Sequence, residues 1–355
     1  MKVFVNQRTV QTTTSGGRHL VPTFVGTILL ILLLIGMLRN DRIRIHDIGD
    51  ASLVAVATRR QKYLNNVVGT GRIRKAISVI HFSSGGTNRT ELLENAAYSL
   101  ETLARTDNYI VAVLDSASLE VCLNAGLPCA DASSLFGDSD VSNAETFMSP
   151  AYVETTWKKV RVVYELLKHG FSVHSSDYDV SYAPKDSLWK NYVGYITEQN
   201  ADAAFQVEMG GINTGNYVIL HSTKALRFME QWLRLQGSQR DNDQIALNNA
   251  LLSRELDSWK NVTMCTEECS SREDEFTIRR YYPPYWSMYH DHCLFNGQTD
   301  LADFDLCHPS VLYVHPICTG TGRTTDVKLS VFDSLGLLTR STTTCASSTW
   351  DPFHS

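Results

Sequence analysis

The chain has 355 residues, 43% hydrophobic and 20% charged, proportions of a globular protein able to bury one large or two ordinary cores, which excludes general disorder. Its formal charge is -6 and it has no long Lys/Arg block, so the electrostatic footprint of a nucleic-acid binder is missing. Small molecules or other proteins are the expected partners.

From Leu20 to Leu38 no residue is charged, and at about 1.5 Å per residue the run is long enough for a ~30 Å hydrocarbon core. A cleaved signal peptide would carry a shorter apolar region, and a buried core helix would not be apolar on every side. The expectation is a cytosolic tail 1–19 and a transmembrane signal anchor 20–38. Counting Lys2, Arg8 and Arg18 against Arg39, Arg42 and Arg44 gives a tie. Acids occur only after the run, at Asp41, Asp47 and Asp50, which favours a cytosolic N-terminus.

All eight cysteines (Cys122, Cys129, Cys265, Cys269, Cys293, Cys307, Cys318 and Cys345) follow the anchor, an even set suited to an oxidising lumen. Their spacings fit disulfides better than a zinc site. The acceptor sequences Asn88-Arg-Thr and Asn261-Val-Thr lie on the same side. A single-pass type II protein of the secretory pathway is expected.

Residues 39–75 read as a stem, 76–340 as the folded domain and 341–355 as a loose tail. Ala76–Phe82 is a buried strand, followed by a Gly/Ser turn and a helix from Thr90 to about Arg105. Tyr109–Asp115 is a second strand, with a short helix at Ser116–Asn124; strand–helix alternation favours a parallel sheet. Ser149 and Pro150 start a helix whose apolar face is Val153, Trp157, Val160, Tyr164 and Leu167, and Gly170 closes it. The strand "FSV" follows at once. Further strands are expected in "ADAAFQVE" and "NYVILHS" and helices at 223–235 and 243–256, with a loop-rich region after Asn261.

Asp177 and Asp179 therefore sit just past a strand's C-terminal end, where open α/β sheets bind ligands. Side chains two apart in extended chain point the same way, so both carboxylates can face one cation, and hard oxygen ligands suit Mg²⁺ or Mn²⁺. A calcium loop of the EF-hand kind would need Gly at Tyr182 and Glu at Leu188. Taken alone, Asp-x-Asp is more often a solvated turn than a metal site.

The segment "WKKVRVVYELLKHGFSVHSSDYDVSYAPKD", Trp157 to Asp186, resembles the heart of the nucleotide-diphospho-sugar transferase family, retaining glycosyltransferases of the GT-A fold that include plant and algal arabinosyl-, xylosyl- and galactosyltransferases. "GGINTGNYVIL", "DNDQIALNNAL" and "VLYVHPICTGTGRTTDVKLSVFDSLGL" follow in the family's order, and the resemblance covers about residues 76 to 338. It implies an α/β fold, a GT-A type Rossmann-like mixed sheet flanked by helices. It also implies that Asp177 contacts the donor ribose or the metal, that Asp179 ligates the cation, and that His315 is its third protein ligand.

Carried further, Lys328 would meet the pyrophosphate, Asp243 and Gln244 would sit by donor sugar and acceptor, and Asn213, Thr214 and Gly215 would line the donor pocket. Ser83 and Asp115 would hold the nucleotide, and Lys158 or Lys159 the phosphates. Several have a plainer alternative: a structural histidine at 315, a helix cap at Asp243, a turn at 213–215, solvated lysines at 158 and 159.

The expected activity is Mn²⁺-dependent (or Mg²⁺-dependent) transfer, with retention, from a UDP-sugar to a glycan or glycoprotein acceptor, in the Golgi lumen. The alternative is a catalytically inactive luminal lectin or scaffold on the same fold. A metal-dependent phosphohydrolase would need more clustered His/Asp ligands.

Overall fold

Ala76–Phe82 (β1) contains no charged residue and is buried at every position, which sets it at the centre of a sheet covered on both faces. Around it run α1 (Leu53–Arg60), α2 (Thr90–Tyr98), continued by a π turn at Ser99–Leu103, β2 (Tyr109–Val113), α3 (Ser116–Asn124), β3 (Cys129–Asp131) and α4 (Pro150–Lys168). Then come β4 (Ser172–Asp177), β5 (Ser181–Tyr182), α5 (Leu188–Thr197), β6 (Ala203–Glu208), β7 (Gly211–Ile219), α6 (Thr223–Arg234) and α7 (Asp243–Ser253). β8 (Val262–Cys265), β9 (Phe276–Tyr281), β10 (Tyr313–Val314) and α8 (Thr324–Ser334) complete the described elements.

The computed structural model describes residues 51–61, 75–83, 89–136, 148–198, 200–208, 211–237, 241–253, 259–266, 269, 274–281, 305–309, 311–316 and 324–338. The expected tail 1–19, anchor 20–38 and C-terminal tail 341–355 lie outside them. Among the described residues no helix is long and apolar enough to cross a membrane.

The main sheet has eight strands in the order β3-β2-β1-β4-β7-β6-β9-β8. β7 pairs antiparallel with β4 and β6, and every other pairing is parallel. One reversed strand thus stands among seven that point the same way. Their C-terminal ends and the start of β7 share one edge.

On one face α1, α4, α6 and α7 pack over Ile77, Val79, Val173, Phe205 and Ile219. On the other, α2, α3 and α5 pack over Ile80, Val111, Ala204 and Val218. A smaller cluster seats α8, through Phe332, against Ala183, Leu306 and Val314.

α4 starts as its sequence requires. Ser149 Oγ accepts from Tyr152 N at 3.1 Å and Pro150 fills the first position; Gly170 ends it at φ +84°, a conformation glycine adopts without strain.

Three stretches depart from expectation. Within the expected stem 39–75, α1 buries Leu53, Val56 and Ala57 in the core, and Ser52 bridges to Asp131 on β3. Three apolar contacts on eight residues are too sparse to signal a helix without the sheet that receives them. The region after Asn261, expected as loops, supplies β8 and β9; its Arg279 hides the pattern, because that guanidinium is buried and stacks 3.7 Å from the centroid of the Tyr195 ring. α5 and α8 also went unanticipated.

Two disulfides, Cys122–Cys129 and Cys265–Cys269, are formed among the described residues. Cys307 is also disulfide-bonded.

Candidate active site

β4 carries Asp177 to the shared sheet edge, and the turn after it carries Asp179. β5 pairs antiparallel with β10, Tyr182 opposite Tyr313 and Ser181 opposite Val314, so the residue after β10, His315, returns to the same place. One ligand atom from each of Asp177, Asp179 and His315 lies within 4.8 Å of the others.

Two lysines flank the acids. Lys159 Nζ on α4 is 2.6 Å from Asp177 Oδ1, and Lys328 Nζ on α8 is paired with Asp179 Oδ2. His315 Nε2 lies 3.3 Å from Asp179 Oδ1. Burial alone would raise the Asp179 pKa, but Lys328 and then His315 outweigh it and hold the carboxyl well below its ordinary range. Burial would likewise lower the Lys159 pKa, yet Asp177 and Asp243 drive it upward. Both groups are thereby kept charged.

The cluster fits a hard divalent cation. Two carboxylates and an imidazole make a mixed oxygen and nitrogen donor set of the kind Mn²⁺ accepts. Gly215 leaves room for one: a Cβ there would stand 2.9 Å from Asp177 Oδ2 and 3.0 Å from Asn213 Oδ1, and would collide with His315 Cε1.

The start of β7 owes its shape to side-chain amides. Against β6, Phe205 pairs with Tyr217 but the next residue, Gln206, pairs with Asn213, so Thr214, Gly215 and Asn216 bulge. Two backbone donors of this segment bond to side chains. Gly215 N donates to Asn213 Oδ1 at 2.7 Å, and Thr214 N donates to Gln244 Oε1 at 3.0 Å. Asn248 completes the support, accepting from Ile212 N at 2.8 Å and donating to Ile212 O at 2.9 Å. The Asn-Thr-Gly and Asp-Gln motifs thus meet in space.

Asp243 is not the cap of α7. Asn242 takes that role, its Oδ1 accepting from Ile245 N at 2.8 Å, while Asp243 is 2% exposed. Its pKa is raised to about 6, chiefly by burial, with Lys159 opposing. A folded pKa above the unfolded value of about 3.9 means protonation favours the native state. This contribution is full below about pH 4 and is lost as pH rises through about 6. Urea titrations with a chelator present are expected to show Asp243→Asn losing less stability than wild type between those limits; parallel curves would contradict it.

The remaining expected residues divide. Lys159 faces the cluster, whereas Lys158 turns away and donates to Leu114 O at 3.2 Å. Asp115 caps α3, with Oδ1 2.9 Å from Ser118 N and Oδ2 2.7 Å from Ser118 Oγ. Ser83, at the end of β1, is buried, its Oγ without a hydrogen-bond partner among the described residues.

Two residues escaped sequence reasoning. His81 stands in register with Asp177 on the neighbouring strand and bonds Ser175 Oγ at 2.9 Å; burial and then Lys159 lower its pKa. Tyr152, in the first turn of α4, has its pKa raised to about 12 by burial, with Lys159 opposing and Asp243, Asp177 and Asp179 reinforcing. A histidine within a uniformly buried strand could have been flagged; nothing in the sequence marks Tyr152.

A family model described as nucleotide-diphospho-sugar transferase matches residues 104–265. An uncharacterized protein of Arabidopsis thaliana is 22% identical over 220 residues, 61% of this chain and 64% of its own length; the match thus spans just under two thirds of that relative. Galactosyltransferase LgtC, solved in complex with donor and acceptor sugar analogs, aligns at 15% identity over 74% of this chain and 96% of its own, with a TM-score of 0.35. An active-site mutant of LgtC aligns at 13% identity over the same shares, with a TM-score of 0.30. The matched segment holds Lys159, Asp177, Asp179, Asn213 to Gly215, Asp243 and Gln244, so the part of the chain that is similar to the nucleotide-diphospho-sugar transferase family carries most of the candidate site.

Proposed function

We propose that the chain is a glycosyltransferase of the GT-A fold that takes a sugar from a UDP-sugar and passes it, with retention, to a glycan or glycoprotein acceptor. The observation that carries this reading is the Asp177, Asp179 and His315 cluster, with ligand atoms within 4.8 Å of one another, at the sheet edge where α/β folds bind ligands. We place the domain in the Golgi lumen behind the anchor 20–38, an assignment supported by the cysteines after that segment and by the two disulfides.

Asp177, Asp179 and His315 would hold Mn²⁺ or Mg²⁺. The bound cation supplies Lewis-acid neutralisation of charge on the departing diphosphate. Lys159 fixes the Asp177 carboxylate, and Lys328 adds a cation able to stabilise the leaving group. Asn213, Thr214 and Gly215 form a pocket wall held by Gln244 and Asn248. Asp243 and Gln244 stand beside the donor sugar and acceptor. No side chain is assigned as a covalent nucleophile; attack on the face the diphosphate leaves requires none.

The test is ligand-dependent stability of the purified full-length protein. UDP is expected to raise the melting temperature only with Mn²⁺ or Mg²⁺ present, the stabilisation reaching about 2.7 kcal/mol at a hundredfold excess over Kd, and EDTA is expected to abolish it. A panel of UDP-sugars then identifies the donor. A glycan-dependent shift with no nucleotide effect would instead identify a lectin.

A further inference from the structure

We propose that Asn261 is an N-glycan acceptor and that its sugar shields the open edge of the main sheet. This rests on the luminal reading of the domain, but not on its catalytic chemistry. The acceptor sequence Asn261-Val262-Thr263 runs directly into β8. Asn261 is exposed, and its backbone carbonyl is fixed by Phe276 N at 2.8 Å, so its place at the head of the strand is set while its side chain faces solvent.

β8 is the last strand in the sheet order, and among the described residues nothing pairs with its outer side. Val262, Thr263 and Met264 are half-buried, in contrast to β1 and β2, buried throughout. An unpaired edge of this kind is a template for pairing with a second chain. Lys, Pro or inward-pointing charge would blunt it, and Val262–Cys265 has none of these. A bulky, hydrated glycan on the residue just before the strand does the same work.

The position also keeps the sugar from the catalytic end. β8 is parallel to β9, β9 to β6, and both run with β4. The head of β8 therefore lies at the sheet edge opposite Asp177. The timing is constrained as well: Thr263 Oγ1, the hydroxyl the acceptor sequence requires, is 3.2 Å from Glu275 Oε2 in the folded domain. Modification belongs to the unfolded chain entering the lumen.

In the reaction Asn261 Nδ2 bonds to the anomeric carbon of a lipid-diphosphate-linked oligosaccharide. The bond from that carbon to the diphosphate oxygen breaks, the amide loses a proton, and the lipid diphosphate leaves.

The experiment is translation of the full chain with microsomes, protease protection of the luminal domain, and mass spectrometry of the peptide containing Asn261. Asn88, outside the described residues, is scored separately. The expected result is a protected domain with a glycan at Asn261, absent from Asn261→Gln and retained in Thr263→Ser. A protected domain with Asn261 bare overturns the site; an unprotected domain overturns it together with the luminal reading, and the two are told apart by the protease lane. Asn261→Gln is expected to keep the UDP-dependent melting shift and to aggregate faster on warming by light scattering. Equal aggregation of the two proteins overturns the shielding role.

Discussion

Asp179→Ala is expected to reduce sugar transfer by about 10³-fold, the scale of the several kcal/mol a positioned cation contributes to a departing oxyanion. The residue stands between three partners. Its Oδ2 pairs with Lys328, its Oδ1 faces His315 at 3.3 Å, and its ligand atom shares a 4.8 Å sphere with those of Asp177 and His315. Removing the carboxylate takes away a cation ligand and leaves Lys328 and His315 without their shared anion. Asp179→Asn keeps the volume and separates charge from packing; it is expected to fold like wild type and still fail to bind Mn²⁺ in a calorimetric titration. Wild-type turnover by correctly folded Asp179→Ala would refute the assignment of the cluster as the catalytic centre.

Gly215→Ala is the second large effect, and it comes from a methyl group. The added carbon would lie 2.9 Å from Asp177 Oδ2 and would overlap the His315 ring. Contacts this short force one ligand aside, and displacement of a reacting geometry by about 1 Å costs roughly 10²-fold. Mn²⁺ affinity and transfer are expected to fall together while circular dichroism stays unchanged. Gly170→Ala is the converse: nothing lies within 4 Å of its added carbon, but its φ is +84°. That variant is expected to lose about 1 kcal/mol of stability and to retain activity. If Gly215→Ala binds Mn²⁺ like wild type, the cradle described above is not the cation's site.

How far these features were legible depended on where their information resides. Asp177 and Asp179 were readable because an amphipathic helix, a glycine stop and a strand precede them within one continuous stretch. Placing His315 and Lys328 beside them required the family resemblance, since the β5–β10 pairing that returns His315 to the cluster is only two residues long. The sequence left Asp243 open between cap and site; Asn242 occupies the cap, and Asp243 is buried next to it. Asp115 shows the cap that a strand-terminal acid can make: Ser118, three residues on, bonds both of its oxygens. α1, β8 and β9 were obscured for a shared reason. Their apolar pattern is short, and their burial depends on partners far away in the chain.

The bulge in β7 also sets a limit on change. Thr214 to Asn216 are three residues that β6 does not match, and beyond them Tyr217 and Ile219 face one core while Val218 faces the other. Side-chain facing alternates with every residue, so a deletion that the bulge did not absorb by shortening would exchange the two sets and turn the strand inside out. Substitution and deletion are therefore unequal hazards in this segment. Its composition bears on chemistry, whereas its length keeps the two cores in phase, and an altered length would be felt as misfolding before it could be felt as altered specificity.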